Sequence, residues 1–389
     1  MRIIMKFGLG YDWKELKRFQ KLDKKDRSIV FYLESEHSFI VFKPIIEKLT
    51  QEYDMKICYV TSSKTDPMLT CNDKNILPFY IGDGVACVSF FVNLKATIMV
   101  MTMPDLGTFH IKRSKIYPVH YVYIFHSVHS THYGYTNTAF DNFDTIFCTG
   151  NHQIIEIQER ERKFNLKEKK LVKIGHGWLD TLIDEVQSAN IRKNTSKNKV
   201  VLIAPTRGSN GLIETKCQEI IHILLDSGFD VILRPHPTTI KKSNQVVQKI
   251  EKEFKNNLNF RLETDIRNTE SLFLCDCMIS DWSGVAIEYA FAFEKPVLFI
   301  DTPQKINNPD RYQIDLVPLE DKIRSEIGEI LPLSQLSLIP SKINQFLLSQ
   351  NKLKEKIQKI REETVFNIGN AGEQGAKHLL ELKKSLESR

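Results

Sequence analysis

Residues 275 to 303 read CDCMISDWSGVAIEYAFAFEKPVLFIDTP. An apolar run ends at Ser280, the turn Asp281-Trp282-Ser283-Gly284 follows, and Val285 to Phe293 has the composition of a buried helix. Lys295-Pro296 then leads into a second apolar run, Val297 to Ile300. The pattern predicts strand, turn, helix, strand. Strands that are short and apolar throughout belong to a parallel sheet covered on both faces. In such sheets ligands bind outside the carboxyl ends of the strands. A helix opening at that edge presents unpaired backbone N–H groups and the positive end of its dipole, which suits an anion. Asp281 and Ser283 are also common helix caps; Gly284 leaves room for close approach.

The same rhythm extends outward in both directions. Ser28–Leu33, Met55–Val60, Ile76–Ile81, Thr97–Met103, Val119–Phe125, Thr145–Cys148 and Val172–Gly175 read as strands, with helices at Phe39–Leu49 and His152–Phe164. After the polar stretch Ser188–Lys199 the alternation restarts. Val200–Ala204, Val231–Leu233, Cys277–Ser280 and Val297–Ile300 are strands, and Thr215–Asp226 and Gln245–Phe254 are helices. The chain of 389 residues is long enough for two domains. The expected organisation is α/β: two doubly wound domains facing each other, at 28–187 and 200–350. A basic segment precedes them at 1–27, and charged helices at 351–389 are expected to pack back on the first domain.

Residues 1 to 28 carry nine Lys/Arg against four acids, so they hold +5 of the net +6 and the remainder is nearly neutral. That asymmetry argues against a nucleic-acid-binding protein and for an anionic partner near the N-terminus. Ile3, Ile4, Met5, Phe7, Leu9, Trp13, Leu16 and Phe19 are interspersed there, a mixture that suits an anionic membrane surface. Seven scattered cysteines without a Cys-x-x-Cys pair fit free thiols in a reducing cytoplasm. The longest apolar stretch, 85 to 103, is interrupted by Asn93 and Lys95 and reads as a helix followed by a buried strand. The expected location is therefore cytoplasmic, with peripheral contact at the inner membrane face.

Three further strand ends carry chemistry. Arg234-Pro235-His236-Pro237 follows an apolar run; two prolines restrict the backbone, and an arginine fork with an imidazole suits a phosphoryl group. Thr206 and Arg207 open a polar loop containing Gly208 and Gly211, which lacks the Gly-Lys-Ser/Thr of a Walker loop. His126, His129 and His132 follow the strand ending at Phe125. Imidazoles spaced in this way chelate zinc in other settings, but with no acidic partner near in sequence the reading is a general base. Glu288, five residues after Ser283, is placed to accept hydrogen bonds from a diol such as a ribose. No cofactor is called for.

Taken together, residues 115 to 302 resemble the CDP-glycerol glycerophosphotransferases, the teichoic-acid primases and polymerases. The resemblance rests on Ile124-Phe125-His126-Ser127, Ala204-Pro205-Thr206-Arg207, Arg234-Pro235-His236-Pro237, and Ser280-Asp281-Trp282-Ser283-Gly284 with Glu288 and Lys295-Pro296. Two positions depart from the family pattern: Ser127 stands for a glycine and Gly284 for a second serine. The resemblance implies a GT-B fold with the nucleotide held by the second domain. It implies His126 as the base, Arg234, His236, Ser283 and Gly284 at the donor pyrophosphate, and Glu288 at the ribose. His129 and His132 would lie on the acceptor side, and Thr206, Arg207 and Asp281 near the phosphates.

The expected activity is transfer of glycerol phosphate, or a related alditol phosphate, from a CDP-linked donor to a hydroxyl of a lipid-linked or polymeric envelope glycan. The alternatives are a glycosyltransferase of the same architecture using a nucleotide sugar, a non-catalytic anion-binding module, and a sugar-nucleotide epimerase.

Overall fold

The computed structural model describes residues 10–108, 111–188, 198–208, 210–265 and 268–388. The apolar residues from Ile3 to Leu9 and most of the polar stretch between the two halves lie outside these.

Seven strands form the first sheet: β1 (Ile29–Leu33), β2 (Ile57–Thr61), β3 (Ile76–Tyr80), β4 (Ile98–Met101), β5 (His120–Ile124), β6 (Thr145–Cys148) and β7 (Lys170–Lys173). Six form the second: β8 (Val200–Ile203), β9 (Asp230–Leu233), β10 (Phe260–Leu262), β11 (Cys277–Ser280), β12 (Val297–Asp301) and β13 (Gly328–Pro332). The orders are β3-β2-β1-β4-β5-β6-β7 and β10-β9-β8-β11-β12-β13, and every pairing is parallel. Each sheet starts in the middle, runs to one edge, then crosses back and runs to the other. The crossings, β1|β4 and β8|β11, are the switch points where such sheets open a crevice.

Period-two alternation explains the absence of polar residues. In β1, Val30 and Tyr32 pack in one core, while Ile29, Phe31 and Leu33 pack in another on the opposite face. In β11, Met278 and the pair Cys277/Ile279 divide in the same way. Both faces are dry, so both sets must be apolar. All seven cysteines are free thiols; six of them are buried.

The helix Tyr11–Gln20 puts Leu16 and Phe19 into the first core, with Trp13 packed beside them. Those three apolar residues, expected at a membrane surface, are thus occupied inside the protein. The same helix leaves Lys14, Lys17 and Arg18 exposed. No helix among the described residues is long and apolar enough to cross a membrane.

Two connections tie the halves together. The helix Gly177–Ser188 sends Leu179, Leu182 and Ile183 into the core beneath the second sheet, against the helix Gly284–Phe293. After the helix Gln350–Thr364, the chain crosses back over the first sheet. There the Phe366 N–H donates to the Thr149 carbonyl at 2.8 Å, and Asp180 accepts from the N–H groups of Gly369 and Ala371 at 2.7 and 2.8 Å. The helix Ala371–Glu387 then lies on Phe39–Glu47 of the first half and buries Ala376, Leu379 and Leu382.

Candidate functional site

The carboxyl edges of the two sheets face one another across a cleft of about 890 Å³, a size that admits a nucleotide-linked small molecule. The second half contributes the ends of β8, β9, β11 and β12; the first contributes the segment after β5.

Asp281 organises the donor-side loops. It is fully buried, and its carboxylate accepts from the N–H groups of Thr206 at 2.7 Å, Trp282 at 2.8 Å and Leu212 at 3.1 Å. Burial raises its pKa, and these three donors work against that rise. Asp281 therefore does not face the cleft as a phosphate-binding residue. It clamps the loop after β8, which carries Thr206 and Arg207 to the cleft wall. Ser283 precedes the first turn of Gly284–Phe293 but makes no capping hydrogen bond there. The first-turn amides of that helix therefore lack their usual side-chain acceptor.

Arg234 lines the cleft half-buried, but Nη1 donates to Glu263 Oε1 at 2.5 Å, to the Asn268 carbonyl at 2.6 Å and to Ser271 Oγ at 3.2 Å. One arm of the fork expected on phosphate, Nη1, is thus spent on fixing the Arg-Pro-His-Pro corner. His236 caps the helix Pro237–Lys242, with Nδ1 accepting from the Thr238 N–H at 3.0 Å. That bond leaves the ring proton on Nε2 as a donor. Burial, reinforced by Arg207, Lys305 and His126, lowers the His236 pKa to about 4, so the imidazole is neutral at pH 7.

Lys305 was not singled out from sequence. It follows β12 beyond Pro303, a proline that disguised the strand-end position. It lines the same cleft, and burial, followed by Arg207, lowers its pKa to about 8. Arg207, His236 and Lys305 make one wall of the cleft a site for negative charge.

On the facing wall, the helix Asn151–Phe164 holds the histidine segment in place. His152 Nε2 donates to the Val128 carbonyl at 2.9 Å, and Gln153 Nε2 reaches the carbonyls of Ser127 and His129 at 3.4 and 3.1 Å. His126 and His129 line the cleft. His126 is exposed on the cleft wall. The surrounding protein, then His129, lowers its pKa to about 4. The imidazole is therefore neutral at pH 7. Burial also lowers the His129 pKa.

His132 turns away from the cleft. It lines a separate cavity of about 20 Å³ with Glu156, room for a single water. Its Nε2 donates to the Leu316 carbonyl at 3.0 Å, and Nδ1 lies 3.4 Å from Glu156 Oε1. His132 sits in a different cavity from His126 and His129, so the three imidazoles do not converge on a metal. Burial alone would lower the His132 pKa, but Glu156 outweighs it and raises it; Glu156 in turn is held low by His132 against its own burial. The same segment joins the halves, for the Leu319 N–H donates to Ser130 Oγ at 2.6 Å and Asn308 Nδ2 donates to the His132 carbonyl at 2.8 Å.

Glu288 borders the cleft but is buried and lies 3.2 Å from His176 Nε2. His176, between Gly175 and Gly177 just past β7, was another residue that sequence reading missed. Gly284 differs from its expected use. A Cβ there would lie 2.6 Å from both His129 Nε2 and Ser127 Oγ, so the absent side chain lets the two halves meet.

Residues 19–306 match the family described as CDP-glycerol:poly(glycerophosphate) glycerophosphotransferase. The chain belongs to this family. A curated relative, the teichoic acid ribitol-phosphate polymerase TarL of Staphylococcus aureus, is 29% identical over 166 residues, 39% of this chain and 28% of that protein. The chain thus matches little more than a quarter of that relative's length. Among solved structures, the wall teichoic acid polymerase TagF with CDPG aligns at TM-score 0.55 and 15% identity, covering 97% of this chain and 94% of that one. A UDP-GlcNAc 2-epimerase from Neisseria meningitidis aligns at TM-score 0.58 and 14% identity, covering 91% and 99%. At such identities these likenesses show the fold: this glycerophosphotransferase-family chain has the GT-B arrangement of two Rossmann-like halves.

Proposed function

We propose that the chain transfers an alditol phosphate from a CDP-linked donor to a hydroxyl of an envelope glycan, lipid-linked or polymeric. One observation carries the reading. A neutral imidazole, His126, borders the same cleft as an anion-binding wall made by Arg207, His236, Lys305 and the uncapped end of Gly284–Phe293. Family membership and the likeness to TarL support the donor class.

In this reading the donor's diphosphate lies along the wall. The acceptor hydroxyl gives its proton to His126 as its oxygen bonds to the alditol-bearing phosphorus. The bond from that phosphorus to the bridging oxygen breaks, and CMP leaves with the electron pair. Arg207, Lys305 and the His236 Nε2–H offset the charge that develops on the leaving phosphate. The arriving dianion also raises the His126 pKa, making it a stronger base in the complex than in the free protein. Glu288, oriented by His176, would accept from the ribose hydroxyls. The exposed lysines of Tyr11–Gln20 would face an anionic membrane carrying the acceptor.

The test is release of CMP or UDP from CDP-glycerol, CDP-ribitol and UDP-GlcNAc in the presence of glycan acceptors. Acceptor-dependent CMP release is expected. UDP release from the sugar donor, with both CDP-alditols inert, would overturn the reading in favour of a glycosyltransferase.

A further inference from the structure

We propose that Ser127 is a donor-binding residue supplied from the opposite half, its hydroxyl hydrogen-bonding a phosphate oxygen held at the first turn of Gly284–Phe293. The proposal rests on the reading above that this turn receives the donor's diphosphate.

Ser127 is 5% exposed. Its carbonyl accepts from Gln153, but its Oγ makes no hydrogen bond among the described residues. Ser127 lines the cleft, so its hydroxyl is free to bond a ligand held there. The hydroxyl lies 2.6 Å from where a side chain at Gly284 would begin. It is thus aimed at the start of a ten-residue helix whose N-cap residue, Ser283, makes no side-chain capping bond. Two sets of donors from different halves therefore point at one place: the Ser127 O–H and the helix's first amides, ahead of the Ala286 N–H that donates to the Ser283 carbonyl at 3.2 Å. The group that satisfies both has several acceptor oxygens and negative charge, which describes a phosphate. The N-terminal half would then touch the donor as well as the acceptor, so the phosphate would be fully bound only with the halves together.

The test uses the full chain and Ser127→Ala, which removes the hydroxyl and adds no bulk. Calorimetric titrations with CDP-glycerol, with inorganic pyrophosphate and with cytidine separate phosphate from nucleoside contacts. The expected result is about tenfold weaker binding of CDP-glycerol and pyrophosphate, the loss of one charge-assisted hydrogen bond. Cytidine affinity and Tm should be unchanged, and in turnover the donor KM should rise with the acceptor KM constant. Unaltered affinity for the phosphate-bearing probes, or an equal loss for cytidine, overturns the proposal. If the wild type binds pyrophosphate but not CDP-glycerol, the functional reading fails while the Ser127 site is still judged by the pyrophosphate titration.

Discussion

Gly175 offers a controlled test of how the crossover from the second half is seated. It lies just past β7 with φ +96°, and a Cβ there would drive into the Phe366 carbonyl oxygen, with Ala371 Cβ 3.3 Å away. The crossover cannot retreat cheaply, because the Phe366 N–H and the Asp180 carboxylate fix it on both sides. Gly228 has a similar conformation, φ +81°, but faces open space. Alanine in the left-handed region costs about 1–2 kcal/mol at either position. Its stiffening of the unfolded chain, worth about 0.4–1 kcal/mol, is common to both and cancels in the comparison. Overpacking against backbone that cannot rotate away adds about 1–3 kcal/mol at Gly175 alone. Urea unfolding of Gly175→Ala and Gly228→Ala should therefore differ by about 1–3 kcal/mol at equal m-values. Equal stabilities would refute the claim that Phe366 packs on Gly175 closely enough to exclude a methyl group.

Three other outcomes follow from the cleft and its edge. His126→Ala should lower kcat by about 10²–10⁴-fold with donor affinity retained, and the wild-type kcat/KM should hold on mild acidification and fall only as pH drops through about 4, where the imidazole protonates; a normal rate in His126→Ala removes it as the base. Lys305→Gln should raise the donor KM, and wild-type donor affinity should weaken as pH climbs through about 8, where this lysine loses its charge; in Lys305→Arg that alkaline loss should vanish, and its persistence would assign it elsewhere. His132→Gln should destabilise most between pH 4.5 and 6.5. The raised His132 pKa gives stability fully present below 6.5 and lost as pH rises through the folded value, and the lowered Glu156 pKa gives stability present above 4.5 and lost as pH falls. A Tm difference between the two proteins that is flat with pH would show that the pair is not charged.

The sheets were legible because apolar runs such as Ile29–Leu33 and Cys277–Ser280 have no other use than a strand buried on both faces. The rule that ligands gather at strand ends led to Thr206, Arg207, Arg234, His236, Ser283 and His126, all of which border one cleft. What the rule does not supply is direction. Asp281 and His132 carry the residue types of a binding site, yet each turns to neighbours distant in sequence: Leu212 for the first, Glu156 and Leu316 for the second. Ser127 and Gly284 looked like two unrelated departures from a pattern. Only the folded chain, which sets one against the other across 157 positions, makes them a single feature. Edge strands β10 and β13 escaped because they are short or mixed in polarity.

The helix Ala371–Glu387 closes a face of the first sheet's core that is otherwise complete by Ser188. During synthesis the earlier half therefore emerges with an apolar flank around Pro44 and Ile45 that has no cover until the helix Ala371–Glu387 has been made. A cut between the halves would yield one fragment missing its lid and another trailing a greasy tail.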